Sequence, residues 1–155
     1  MPAGYSGTPL AKKLGIRAGD TVTLLGAPEG FEDELDGLPD GVQLRRRTGG
    51  SPEVVLLFTT KARELERRFP GLARSVWPDG SVWVAWPKRA SGVATDVTED
   101  AVRELGLAAG LVDNKVCAID QVWSGLRLVY RLRDRPPPAP RRPPKEAGRQ
   151  RAGRG

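Results

Sequence analysis

Residues 82–106, VWVAWPKRASGVATDVTEDAVRELG, carry a strand, a loop and a helix start, and the architecture turns on how the strand is read. Val82 to Trp86 is apolar without alternation and Pro87 stops it. That is the pattern of a strand buried on both faces, not of one that alternates between core and water. EVVLLFTT at 53–60 has the same character. Between the two runs, Leu65, Phe69, Leu72 and Val76 recur at spacings of four, three and four, which predicts a helix from Lys61 onward. Pro70 lacks an amide hydrogen and clashes with the preceding turn, so a kink or two short helices are expected there. A helical crossover between two buried strands makes them parallel.

The loop runs into a second helix. Asp96 and Glu99 stand at capping-box spacing, with Thr98 as an alternative cap; Val102, Leu105 and Ala109 give a buried face, and Gly110 suits the end. KVCAID at 115–120 and LRLVYRL at 126–132, separated by QVWSG, read as hairpin arms that add an antiparallel edge. The expected fold class is α/β: a three-layer, Rossmann-like, mostly parallel sheet with helices on both faces and a C-terminal antiparallel hairpin.

Toward the N-terminus, DTVTLLGAP at 20–28 reads as a first core strand, and GVQLRRR at 41–47 as a second that ends in three arginines. In GYSGTPLAKKLG at 4–15, Thr8 can cap a helix, Pro9 suits its first position and Gly15 its end. The glycines before it would let backbone amides approach an anion, but no phosphate-loop pattern accompanies them. The acidic stretch at 29–41 sets Glu32, Glu34, Asp36 and Gly37 on calcium-loop positions, yet Gln43 and Pro39 break the template, leaving a solvated loop.

From Glu53 onward the order is strand, helix, strand, loop, helix, strand, antiparallel strand. It is similar to the C-terminal half of the class I methyltransferase fold, whose last strand is inserted antiparallel. GYSGTPLAKKLGI, VAWPKRASGVATDVTEDAVRELGLAAGLVDNKVCAID and WSGLRLVYR resemble more closely a family of small actinobacterial proteins known as a domain of unknown function, over roughly residues 4–130. The methyltransferase resemblance implies S-adenosylmethionine, a glycine-rich turn after the first strand, and an acidic residue ending the second to accept the ribose hydroxyls. Here LLGAPEGF places Gly26 and Gly30 without GxGxxG spacing. The second strand ends in Arg45, Arg46 and Arg47, opposite in sign and suited instead to a phosphate.

In an open parallel sheet, ligands bind beyond the carboxyl ends of the strands. There Lys88 and Arg89 offer cationic donors, Ser91 and Thr95 hydroxyls, and Gly92 close backbone approach. With Gly26 at the first-strand turn and Asp120 at another strand end, these form a candidate site for an anionic small molecule. Helix capping, and packing of Trp83 and Trp86, account for the same segment without a ligand. For catalysis, Asp120 would serve as base and Tyr5 or Lys88 as acid, but no pair has diagnostic spacing.

The 155 residues suit one domain. No histidine and one cysteine exclude Ser-His-Asp, Cys-His, zinc-histidine and multi-cysteine sites within the chain. Cys117 lies inside a strand pattern as a small apolar residue, and a lone cysteine agrees with a reducing, cytoplasmic compartment. No run of about 18 apolar residues and no signal-peptide pattern occur, so no membrane partner is expected. Of the net charge of +6, residues 131–155 hold nine basic residues against Asp134 and Glu146, a net of +7, which leaves residues 1–130 at −1. The division is a Rossmann-like body, 1–131, and a disordered Pro/Arg-rich tail, 132–155, able to make weak nucleic-acid contact through counterion release.

Three functions are compatible with these residues. The first is a small cytoplasmic binding or regulatory protein for an anionic small molecule, with no cofactor implied by the residues themselves. The second is a degenerate S-adenosylmethionine-dependent methyltransferase-like enzyme. The third is a partner-docking module tethered to nucleic acid by the basic tail.

Overall fold

The computed structural model describes residues 8–35 and 37–136. Tyr5, the glycines before the first helix, Asp36 and the chain from residue 137 on lie outside the described residues.

Among these residues six strands form one sheet: β1 (Thr21–Leu25), β2 (Gln43–Arg45), β3 (Val54–Phe58), β4 (Ser81–Pro87), β5 (Leu111–Ala118) and β6 (Trp123–Tyr130), in the order β2-β1-β3-β4-β6-β5. The first four are parallel, whereas β6 runs antiparallel to both β4 and β5. Val54 pairs with Ser81 and Phe58 with Ala85, so the two apolar runs lie side by side in the same direction. Every residue of β3 and β4 is buried, as unbroken apolar sequence requires. The hairpin is more than an added edge: its second arm enters the sheet beside β4 and leaves β5 on the rim. The antiparallel insertion expected from the methyltransferase-like order is present, and the mixed α/β Rossmann-like fold class holds.

Among the described residues three α-helices accompany the sheet: α1 (Leu10–Lys13), α2 (Ala62–Ser75) and α3 (Glu99–Ala108). Helices lie on both faces as expected, with α1 on one face and α2 and α3 sharing the other. Leu65, Phe69 and Leu72 of α2 and Val102 of α3 pack there on Val55, Leu57, Val84, Leu126 and Leu128. The α1 face is closed by Ala11 of α1 and Leu14 just after it, together with Phe31 and Leu35, over Leu24, Leu56, Trp83 and Ala85. It is the thinner layer because β1 reaches β2 through a short 3-10 turn, Phe31–Glu34, with no crossover helix among the described residues.

Pro70 lies inside α2 without dividing it into two helices. Its ring is exposed, while the buried stripe on either side keeps both halves on one core. Pro9 is the N-cap residue of α1, one place earlier than expected, and helical geometry begins at Leu10. Beyond residue 131, Leu132–Asp134 adds a 3-10 turn, and Arg135 donates to the Tyr130 carbonyl. Among the described residues no helix is long and apolar enough to cross a membrane.

Candidate functional site

The sheet switches direction between β1 and β3, since the chain leaves β1 toward β2 and β3 toward β4. At that switch point open α/β sheets hold their ligands, beyond the carboxyl ends of the strands. Gly26 follows β1 there with a φ of +69°, and a Cβ on it would stand 2.6 Å from the Phe58 carbonyl oxygen. The absence of a side chain is a demand of the two strand ends. Phe31, fully buried, packs edge-on against Phe58 with ring centroids 4.9 Å apart, and Phe58 packs edge-on against Trp123 at 5.1 Å. Three rings from three elements fill the space beside the switch point.

The loop after β4 is built of hydrogen bonds to its own chain. Ser91 donates its hydroxyl to the Lys88 carbonyl at 2.7 Å and accepts from the Val93 amide at 3.1 Å. Gly92 ends the 3-10 turn Arg89–Ser91 with a φ of +78°. Thr95 donates to the Thr60 carbonyl at 2.8 Å and accepts from the Val97 amide at 3.0 Å. Asp96, expected to cap α3, instead accepts from the Ala62 amide at 2.7 Å and caps α2, while Thr98 caps α3 by accepting from Ala101 at 3.1 Å. The segment is a clamp joining the start of α2 to the start of α3. That consumes Ser91 and Thr95, and leaves Lys88 and Arg89, which have no ion-pair partner among the described residues.

Asp120 stands beside this loop. Its carboxylate accepts from the Val122 and Trp123 amides, each at 2.8 Å, and the Val122 carbonyl accepts from the Lys88 amide at 2.7 Å. The strand-end turn of Lys88 and the hairpin turn of Asp120 are thereby joined. Glu34, read from sequence as part of a solvated loop, faces Asp120; burial first, and the neighbouring carboxylate second, hold its carboxyl above the ordinary range. No local pattern reveals that pair, because its members lie on opposite sides of the sheet's connectivity.

Of the seven residues expected to line a site, Lys88, Arg89, Ser91 and Gly92 share one turn and Asp120 joins them through Val122. Thr95 points into the clamp, and Gly26 belongs to the filled switch point. At the β2 rim, Arg45, Arg46, Arg47 and Thr48 line an open depression of about 520 Å³. Arg46 is paired with Glu32, its Nε donating at 2.7 Å, and this hydrogen bond holds the Glu32 carboxyl below its ordinary value. Cys117 is half-buried on β5, and burial pushes its thiol up, away from nucleophilic character.

Solved structures resemble this chain in fold. A SAM dependent methyltransferase from Aquifex aeolicus matches with a TM-score of 0.56 at 13% identity, over 77% of this chain and 86% of that one. Magnesium protoporphyrin IX methyltransferase from Synechocystis PCC 6803, with bound SAM, matches at 0.55 and 12% identity, over 79% and 74%. An O-methyltransferase from neocarzinostatin biosynthesis matches at 0.54 and 12% identity, over 72% and 49%. No family model matches the chain, and no curated protein matches it in sequence. At these identities the likeness defines a class of fold, that of class I S-adenosylmethionine-dependent methyltransferases, and leaves activity open.

The residues do not fit S-adenosylmethionine in the pose that this resemblance implies. The turn after β1 lacks the glycine spacing that approaches the cofactor, and Gly26 is pressed against the Phe58 carbonyl. Arg45 ends β2 where the ribose hydroxyls would need an acceptor.

Proposed function

We propose that the chain is a small-molecule-binding protein on a methyltransferase-like scaffold, holding an anionic ligand with Lys88 and Arg89 beyond the carboxyl end of β4. The observation that supports it is the pair of cations without a carboxylate partner among the described residues, at the sheet edge where such folds take ligands. Ser91 and Gly92 shape the turn that presents them, and Asp120 fixes the neighbouring hairpin.

The test is thermal-shift and calorimetric screening of the full chain against phosphorylated and polycarboxylate metabolites, with S-adenosylmethionine alongside. An anion that raises Tm for the wild type should bind the Lys88→Ala/Arg89→Ala variant at least tenfold more weakly, about 1.4 kcal/mol. Equal affinity in that variant would remove the two residues from any site. The bound SAM of the Synechocystis structure favours a second reading, a degenerate methyltransferase. Saturable binding of S-adenosylmethionine would turn the assignment to that reading.

A further inference from the structure

At the opposite end of the sheet, where β1, β3 and β4 begin and β6 ends, a cleft of about 1020 Å³ opens on the face that α1 covers. We propose that this amino-edge cleft is a binding site, separate from the Lys88 turn, for a phosphate-bearing small molecule gripped by Arg17, Arg127 and Ser81. Sites for whole metabolites typically enclose about 300–1,000 Å³.

Among the described residues, two side chains at the cleft have a buried polar atom with no partner: Ser81 through Oγ and Arg127 through Nε. Ser81, at the first position of β4, is 1% exposed. Arg127 lies across from Trp83 in the β4–β6 register, which puts it on the same face of the sheet as Ser81, and its guanidinium lies against Gly15 at the end of α1. Both unpartnered groups are donors. A buried donor left unmet is costly, more so when charged, and an oxyanion seated in the cleft would accept from both.

The charges agree. Arg127 and Arg17 have no ion-pair partner among the described residues. Burial, followed by the like charges of Arg135 and Arg17, holds the Arg127 guanidinium below its ordinary value. Arg135 is fixed by donating Nε and Nη2 to the Tyr130 carbonyl at 3.1 and 2.9 Å. Of the acids at the cleft, Asp20 accepts the Arg17 amide at 2.8 Å and Glu53 the Thr21 amide at 2.7 Å, while Asp79 is exposed. Converging guanidiniums with a hydroxyl between strand ends suit the several acceptor oxygens and double charge of a phosphate better than a single carboxylate.

The test is isothermal titration of the full chain with inorganic pyrophosphate, with citrate as the polycarboxylate arm. Saturable binding of pyrophosphate is expected, at least tenfold weaker in Arg17→Ala, whose exposed side chain can be removed without disturbing the core, and weaker also in Ser81→Ala. Because Ser81→Ala deletes an unmet buried hydroxyl, it should keep or raise the Tm of the ligand-free chain, which a merely structural serine would not. The Lys88→Ala/Arg89→Ala variant should bind pyrophosphate as the wild type does, which separates this site from the carboxyl-edge one. The proposal is overturned by an absence of pyrophosphate binding, by stronger binding of citrate, by binding indifferent to Arg17→Ala and Ser81→Ala, or by binding lost only with Lys88 and Arg89.

Discussion

The Asp96 carboxylate accepts the amide hydrogen of Ala62 at 2.7 Å, so a residue in the loop after β4 caps the helix that follows β3. Asp96→Ala should therefore cost about 1 kcal/mol in urea denaturation. Hydrogen exchange should quicken in the first turn of α2, whereas Thr98→Ala should loosen α3. Faster exchange confined to α3 in Asp96→Ala would contradict the cross-element cap.

Gly26 and Gly92 both have positive φ, +69° and +78°, but only Gly26 faces a backbone atom closer than 3 Å. Gly92→Ala should cost about 1–2 kcal/mol for left-handed backbone alone. In Gly26→Ala the overlap with the Phe58 carbonyl adds to that term, for a total of about 2–4 kcal/mol. Equal losses in chemical denaturation would show that β1 and β3 relax apart at no cost.

Glu34 supplies a pH signature. Its folded-state carboxyl is raised by burial and by Asp120, so the proton is held more tightly in the folded chain than in the unfolded one. Its contribution to stability is full below the ordinary glutamate range and is lost as pH rises through the raised value. Glu34→Gln should accordingly raise Tm at neutral pH, and the gain should shrink to nothing as the medium is acidified. A gain that persists unchanged in acid would mean that packing, not charge, separates the two proteins.

Burial raises the Cys117 thiol, against smaller opposing effects of Lys115 and Lys13. A thiol-specific disulfide reagent at mildly alkaline pH should modify the folded chain more slowly than a free thiol, and urea should restore the ordinary rate. Rapid modification of the folded chain would reopen Cys117 as a nucleophile.

The elements that sequence reveals are those whose environment is uniform along their length. β3 and β4 are apolar throughout because they are covered on both sides, and α2 shows its stripe because one face alone meets the core. β5 starts at Leu111, ahead of the expected arm, because a rim strand with Asn114, Lys115 and Val116 exposed carries little pattern. β6 begins at Trp123 within what reads as a turn. Gly125 belongs to that strand, and a Cβ there would meet Ile119 at 2.8 Å and Trp83 at 3.1 Å. At the sites, spacing revealed where a β4 loop would lie but not which groups its hydrogen bonds use. The partner of Asp96 is 34 residues away. Arg17, Ser81 and Arg127 are separated by still longer stretches, so no local motif announces the amino-edge cleft.

Phe31 gives this scaffold an unusual economy. Its phenyl group, wholly enclosed, is part of the masonry that closes the sheet over Leu24, Leu56 and Phe58. Shortening that residue to alanine would not impair a binder so much as furnish one, since a dry apolar hole of benzene size readily accepts a benzene-sized visitor.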